Sequence, residues 1–149
     1  MKRLLILTAI LTLMVGAANS QVLKPVKWQI SFKKVSEGVY DIICKATVES
    51  GWHLYDTKLP ENGPLPTTFN IDEDETKDIE LVGEFKATTE PKTEKSEAFN
   101  MELKYFEGTV TFVQRVKLKG DKAKLVGYVE YMASADNVSL LPKKNLNSN

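Results

Sequence analysis

The chain has 149 residues, with 20 Lys and Arg against 20 Asp and Glu, so its formal net charge is zero. No basic stripe stands out along the sequence, which argues against a nucleic-acid partner, and a single histidine excludes a His-rich metal cluster and argues against zinc. There is no Gly-rich phosphate loop and no Cys-x-x-Cys pair, so no cofactor is expected.

Lys2 and Arg3 precede an apolar run from Leu4 to Val15, and Ala18-Asn19-Ser20 places small residues at a cleavage site before Gln21. That pattern predicts a secretory signal peptide over residues 1–20. The apolar run is shorter than the roughly 20 residues needed to span a bilayer. No second hydrophobic stretch follows, and no cysteine follows the run to carry a lipid. Residues 21–149 are therefore expected to be exported, without a membrane anchor, as one domain large enough to bury a core.

Beyond the signal the chain alternates. Val26, Trp28, Ile30 and Phe32 share one face of a first strand, with Lys27, Gln29, Ser31 and Lys33 opposite. Ser36-Glu37-Gly38 reads as a hairpin turn into a second strand, on which Tyr40, Ile42, Cys44, Ala46 and Val48 share a face. Trp52-His53-Leu54-Tyr55 is aromatic-rich, and residues 60–66 form a proline-punctuated loop. Further strands are predicted around residues 67–71, 79–85, 98–103, 109–118 and 124–132. The polar stretch 88–97 is expected to protrude as a mobile loop. Helical periodicity is absent after the signal. Short strands with frequent turn signals predict an all-β chain, an antiparallel β-sandwich of immunoglobulin-like architecture.

Cys44, alone in an exported chain, reads as a small buried hydrophobe, with a reactive or intermolecular thiol as the alternative. The run Asp72-Glu73-Asp74-Glu75 offers oxygen ligands, but it lacks the Asp-x-Asp-x-Asp-Gly pattern of a calcium loop and reads as solvated loop. His53 as a base for Ser134 or Ser139 would need an orienting carboxylate and an oxyanion hole, and no Gly-x-Ser-x-Gly motif supplies one.

Residues 131–142, Tyr-Met-Ala-Ser-Ala-Asp-Asn-Val-Ser-Leu-Leu-Pro, have the frame of a redox loop with serine where such a loop carries cysteine. Disulfide exchange needs one thiolate to attack and a second to resolve the mixed disulfide, and Ser134 and Ser139 supply neither. Together with Gly51-Trp52-His53-Leu54-Tyr55, the loop Gly63-Pro64-Leu65-Pro66-Thr67-Thr68-Phe69, the stretch Met101-Glu102-Leu103-Lys104-Tyr105-Phe106-Glu107-Gly108 and Glu130-Tyr131-Met132, this region resembles the N-terminal periplasmic domain of the thiol:disulfide interchange protein DsbD, in the form seen in Bacteroidetes-like sequences.

The resemblance implies an immunoglobulin-like sandwich that receives electrons from a thioredoxin-like domain and passes them to periplasmic thiol proteins. It places Ser134 and Ser139 at the redox-cysteine positions of a pattern like Cys-x-Asp-x-x-Cys-Leu-Pro-Pro. Asp136, Leu140 and Pro142 match that pattern, and Leu141 departs from it. It also places Tyr105 and Phe106 in a cap loop whose phenylalanine shields the disulfide; simple packing is the other reading of Phe106. Asp136 reads as a turn former once no thiol needs tuning. The family continues with another strand where this chain has Lys143-Lys144-Asn145-Leu146-Asn147-Ser148-Asn149, which reads as a polar tail.

The implied function is a periplasmic, redox-inactive relative that keeps at most the binding of a thioredoxin-like partner, without metal or catalytic residues. The alternatives are a periplasmic binding or structural module with an unrelated ligand, and a single-cysteine reductant using Cys44.

Overall fold

The computed structural model describes residues 23–136 and 138–146; the signal-peptide reading lies outside them. The described chain is all strand and turn. One layer is a four-stranded antiparallel sheet in the order β1-β2-β8-β5, formed by β1 (Val26–Ser36), β2 (Val39–Val48), β8 (Thr109–Leu118) and β5 (Ile79–Ala87). The β1–β2 hairpin closes through Glu37 and Gly38, the latter at φ 74°, where glycine carries no Cβ penalty.

The facing layer contains two ladders. A five-stranded ladder runs β11-β10-β3-β7-β6 through β11 (Val138–Leu140), β10 (Ala133–Ala135), β3 (His53–Tyr55), β7 (Met101–Phe106) and β6 (Lys92–Ser96). A three-stranded ladder runs β12-β9-β4 through β12 (Lys143–Asn145), β9 (Gly127–Glu130) and β4 (Thr68–Ile71). The chain passes from β9 to β10 through residues 131–132, so one continuous segment links the two ladders. The expected immunoglobulin-like antiparallel sandwich is the fold found.

The alternation on β2 does what its period demands. Ile42, Cys44 and Ala46 are fully buried, while Lys45 and Thr47 face solvent. Opposite Cys44, Phe112 stands at the centre of the core, stacked on Phe85 at 5.4 Å and edge-on to Phe106 at 5.6 Å between centroids. Aromatic pairs at these separations add to the stabilisation from burying their area. Leu54, Phe106, Val129, Tyr131 and Ala133 close the core from the second layer. A smaller cluster of Tyr55, Leu103 and Tyr105, with Leu59, Phe99, Met101 and Met132 against it, covers the other face of β3 and β7.

Four expectations need correction. Phe32 shares the inward face of β1 but is 57 % exposed, because β1 is an edge strand with a neighbour on one side only. The polar stretch expected to protrude contains β6, paired residue for residue with β7 from Lys92↔Tyr105 to Ser96↔Met101. As an edge strand it is polar on both faces and shows no hydrophobic alternation to read. The strand placed at residues 98–103 begins instead at Met101, after a turn at residues 97–100 in which Asn100 has φ 53°. The apparent tail is β12, pairing Lys143↔Glu130 through Asn145↔Tyr128, and Leu146 behind it is buried. The further strand is present, and a short polar sequence concealed it.

Candidate functional site

β10 lies between β11 and β3, with Ser134 directly opposite Ser139 on one side and His53 on the other. Directly opposed residues point to the same face of a sheet, so both hydroxyls share the outer face of the second layer. There, Ser134 Oγ and the hydroxyl of buried Tyr55 lie 2.7 Å apart in a hydrogen bond. Ser139 is exposed. Asp136 stands at the hairpin turn with φ 42°, a left-handed conformation that short Asp side chains tolerate; this fits its reading as a turn former.

These groups line a polar depression of about 350 Å³, together with His53, Tyr55, Glu94 and Phe99. The His53 ring stacks on Tyr105 at 4.0 Å. Its Nδ1 lies 3.5 Å from Glu94 and its Nε2 3.2 Å from Glu107, whose second oxygen meets Lys92 at 3.2 Å. Burial and the neighbouring carboxylates of Glu94 and Glu107 push the Tyr105 phenol above its usual range.

The structure thus brings Ser134, Ser139, Asp136 and Tyr105 to one side of the sheet. It sends Phe106 to the other. Phe106 pairs with Leu54 and packs edge-on against Phe112 in the main core, 4 % exposed. Adjacent strand residues face opposite ways, so Tyr105 beside the site and Phe106 over it are mutually exclusive. Of the two readings of Phe106, packing is the one the geometry shows. Besides Tyr55, Phe99 lines the depression with the serines, reaching it from the turn between β6 and β7, where no periodic signal marks it.

Chemically, the arrangement has no activated nucleophile. Both His53 nitrogens face carboxylates, and the Ser134 hydroxyl is engaged with Tyr55. Two opposed hydroxyls cannot carry disulfide exchange. Cys44, the one sulfur in the sequence able to form a thiolate, is fully buried in the other layer, and loss of solvation pushes its thiol up to about 12. Burial and the raised value both disfavour the thiolate that would act as a nucleophile.

Fold and site together define an all-β sandwich domain with a serine-bearing hairpin at its rim. No protein-family model and no curated protein sequence matches the chain. Among solved structures, it is similar to the N-terminal periplasmic domain of ScsB from Proteus mirabilis, with a TM-score of 0.60 and 17 % sequence identity. The match covers 86 % of this chain and 47 % of that one, so this chain spans about half of its length. At that identity the likeness shows a shared fold.

Proposed function

We propose that this chain is an exported, periplasmic domain of the DsbD N-terminal type, as found in Bacteroidetes-like sequences, that has lost thiol exchange and keeps at most the docking of a thioredoxin-like protein. The observation that carries this reading is the Ser134–Ser139 pair, opposed across β10 and β11 at the positions where the resembled family has its cysteines. The likeness to a periplasmic domain and the signal-like residues 1–20 support the location.

The test is a disulfide-exchange assay with the purified protein and a thioredoxin-like donor. No turnover is expected, and turnover that survives Cys44→Ser would overturn the redox-inactive reading. Docking is tested separately, by retention of a periplasmic thioredoxin-like protein on immobilised wild type. If none is retained, the binding or structural module with another ligand takes its place.

The hairpin geometry also makes a reverse experiment informative. Opposed residues in an antiparallel ladder have Cα atoms about 4.5 or 5.5 Å apart, and both values fall within the roughly 4.4–6.8 Å that a disulfide accepts. Ser134→Cys with Ser139→Cys should form an S–S bond on mild oxidation, read as the loss of two hydrogens by mass. Two free thiols in the folded double variant would show that the redox frame is gone along with its sulfurs.

A further inference from the structure

The balanced charge of the chain hides a one-sided distribution that only the strand register reveals. On the four-stranded sheet, the face turned away from the core is built from odd-numbered residues of β1, β2 and β8: Lys27 beside Thr47 and Thr109, Gln29 beside Lys45 and Thr111, Ser31 beside Ile43 and Val113, and Lys33 beside Asp41 and Arg115. β5 adds Lys86 beside Val113.

Lys27, Lys33, Lys45 and Lys86 are all exposed, and none lies within ion-pair distance of a carboxylate among the described residues. Most acids on this face are already committed, the exception being exposed Glu49, which lines a depression with Lys27 and Thr47 and stands in no ion pair among the described residues. Asp41 is held by Arg115 at 2.8 Å, and Glu80 by Lys119 at 3.0 Å. From Lys27 to Lys33 the lysines span about 20 Å along β1, at roughly 3.3 Å per residue. Between them lie Thr, Ser and Gln side chains and the half-buried Ile43 and Val113.

We propose that this face is a docking surface for an anionic membrane, taking the phosphate groups of acidic lipids. Charge complementarity carries the assignment. On this side of the sheet the ammonium groups outside any ion pair outnumber the unpaired carboxylates and give a net positive field, which suits an extended anionic surface. The guanidinium that would form a fork for an individual phosphate is occupied by Asp41. Lysine side chains near such a surface act as point charges whose attraction adds from residue to residue and is screened by salt. The proposal does not depend on the redox reading, since the face lies on the opposite layer from Ser134 and Ser139.

Co-sedimentation of the full chain with vesicles tests it. Binding is expected to phosphatidylcholine vesicles containing phosphatidylglycerol at low salt, with loss at high salt and no binding to phosphatidylcholine alone. Replacing Lys27, Lys33, Lys45 and Lys86 together with Gln should weaken binding by about tenfold or more, since each lysine near an anionic surface contributes roughly fivefold. A control with Lys77, Lys95, Lys104 and Lys122 replaced by Gln makes the same change in net charge at exposed positions elsewhere. It should change binding by less than about twofold. Circular dichroism of both variants confirms that they remain folded. Equal loss in the two variants would overturn the assignment to this face. Absence of binding to the acidic vesicles, with or without capture of soluble polyglutamate by the same lysines, would overturn the membrane as occupant.

Discussion

Cys44 and Ser134 occupy corresponding kinds of position, each on a strand flanked by two others, yet their surroundings are opposite. Cys44 faces inward between Ile30 and Phe112, without exposed surface or polar contact. Ser134 faces outward between Ser139 and His53, at a polar rim, with its hydroxyl on Tyr55. The one residue with a thiol lies where it has no exposed surface, and the more open position carries a hydroxyl. Environment and residue type must coincide for exchange, and in this chain they are separated by the thickness of the sandwich.

The largest effect that would break this contrast comes from opening the inner region. Phe112→Ala removes the ring opposite Cys44 and should cost about 3–5 kcal/mol, the usual range for deleting a buried Phe. Denaturant titration reads that cost, and thiol labelling should accelerate as the core opens.

At the rim, Ser134→Ala removes the partly buried hydrogen bond to the Tyr55 hydroxyl and should cost about 0.5–1.5 kcal/mol. Ser139→Ala, at an exposed position, should stay within about 0.5 kcal/mol of wild type. Equal costs for the two would show that the Tyr55 contact does not hold the hairpin. Cys44→Ala should cost on the order of 1 kcal/mol, the scale of a small buried group. The native protein should resist alkylation until denatured; rapid modification without denaturant would contradict the inward register of β2.

The smallest effect concerns the surface pair Asp41–Arg115. The hydrogen bond from Arg115, aided by its charge, holds the Asp41 carboxyl below its ordinary range. A carboxylate with a lowered folded-state pKa contributes stability that is fully present above its unfolded-state value, near 4, and is lost as pH falls through the folded-state value. Stability should therefore decline below about pH 4 more gently in Asp41→Asn than in wild type. The difference should be small, because Arg115 is half exposed and the pair is screened by water.

Much of the sandwich was legible because half-buried strands advertise themselves at period two. β2 is legible in the spacing of Ile42, Cys44 and Ala46, and the strand expected around residues 109–118 is β8. Strands without a buried face gave no such signal. β6 and β12 are short and polar, and only pairing makes them strands. The serine positions were legible from the frame of residues 131–142. The groups around them were not, because Tyr55 reaches the depression from β3 while Glu94 and Phe99 reach it from β6 and the turn that follows it, far from the serines in the sequence. Of the two readings of Phe106, the cap-loop one comes from likeness of local sequence, whereas its alternation with Tyr105 implies that the two side chains face opposite ways. The lysine face escaped notice for a related reason: its members are spread from residue 27 to residue 86, and only register gathers them.

Leu146 fits against Gly127, where any larger residue would collide with the Asn70 carbonyl and with Leu146 itself. Its burial behind β12 has a temporal consequence. Residues 143–146 emerge after every other described part of the sandwich, so a chain delivered from its N-terminus can pair β1 with β2 early but cannot seal the core until Leu146 has appeared. Until then β9 lacks one neighbour, and the newly made chain carries an open edge that a holding chaperone would recognise.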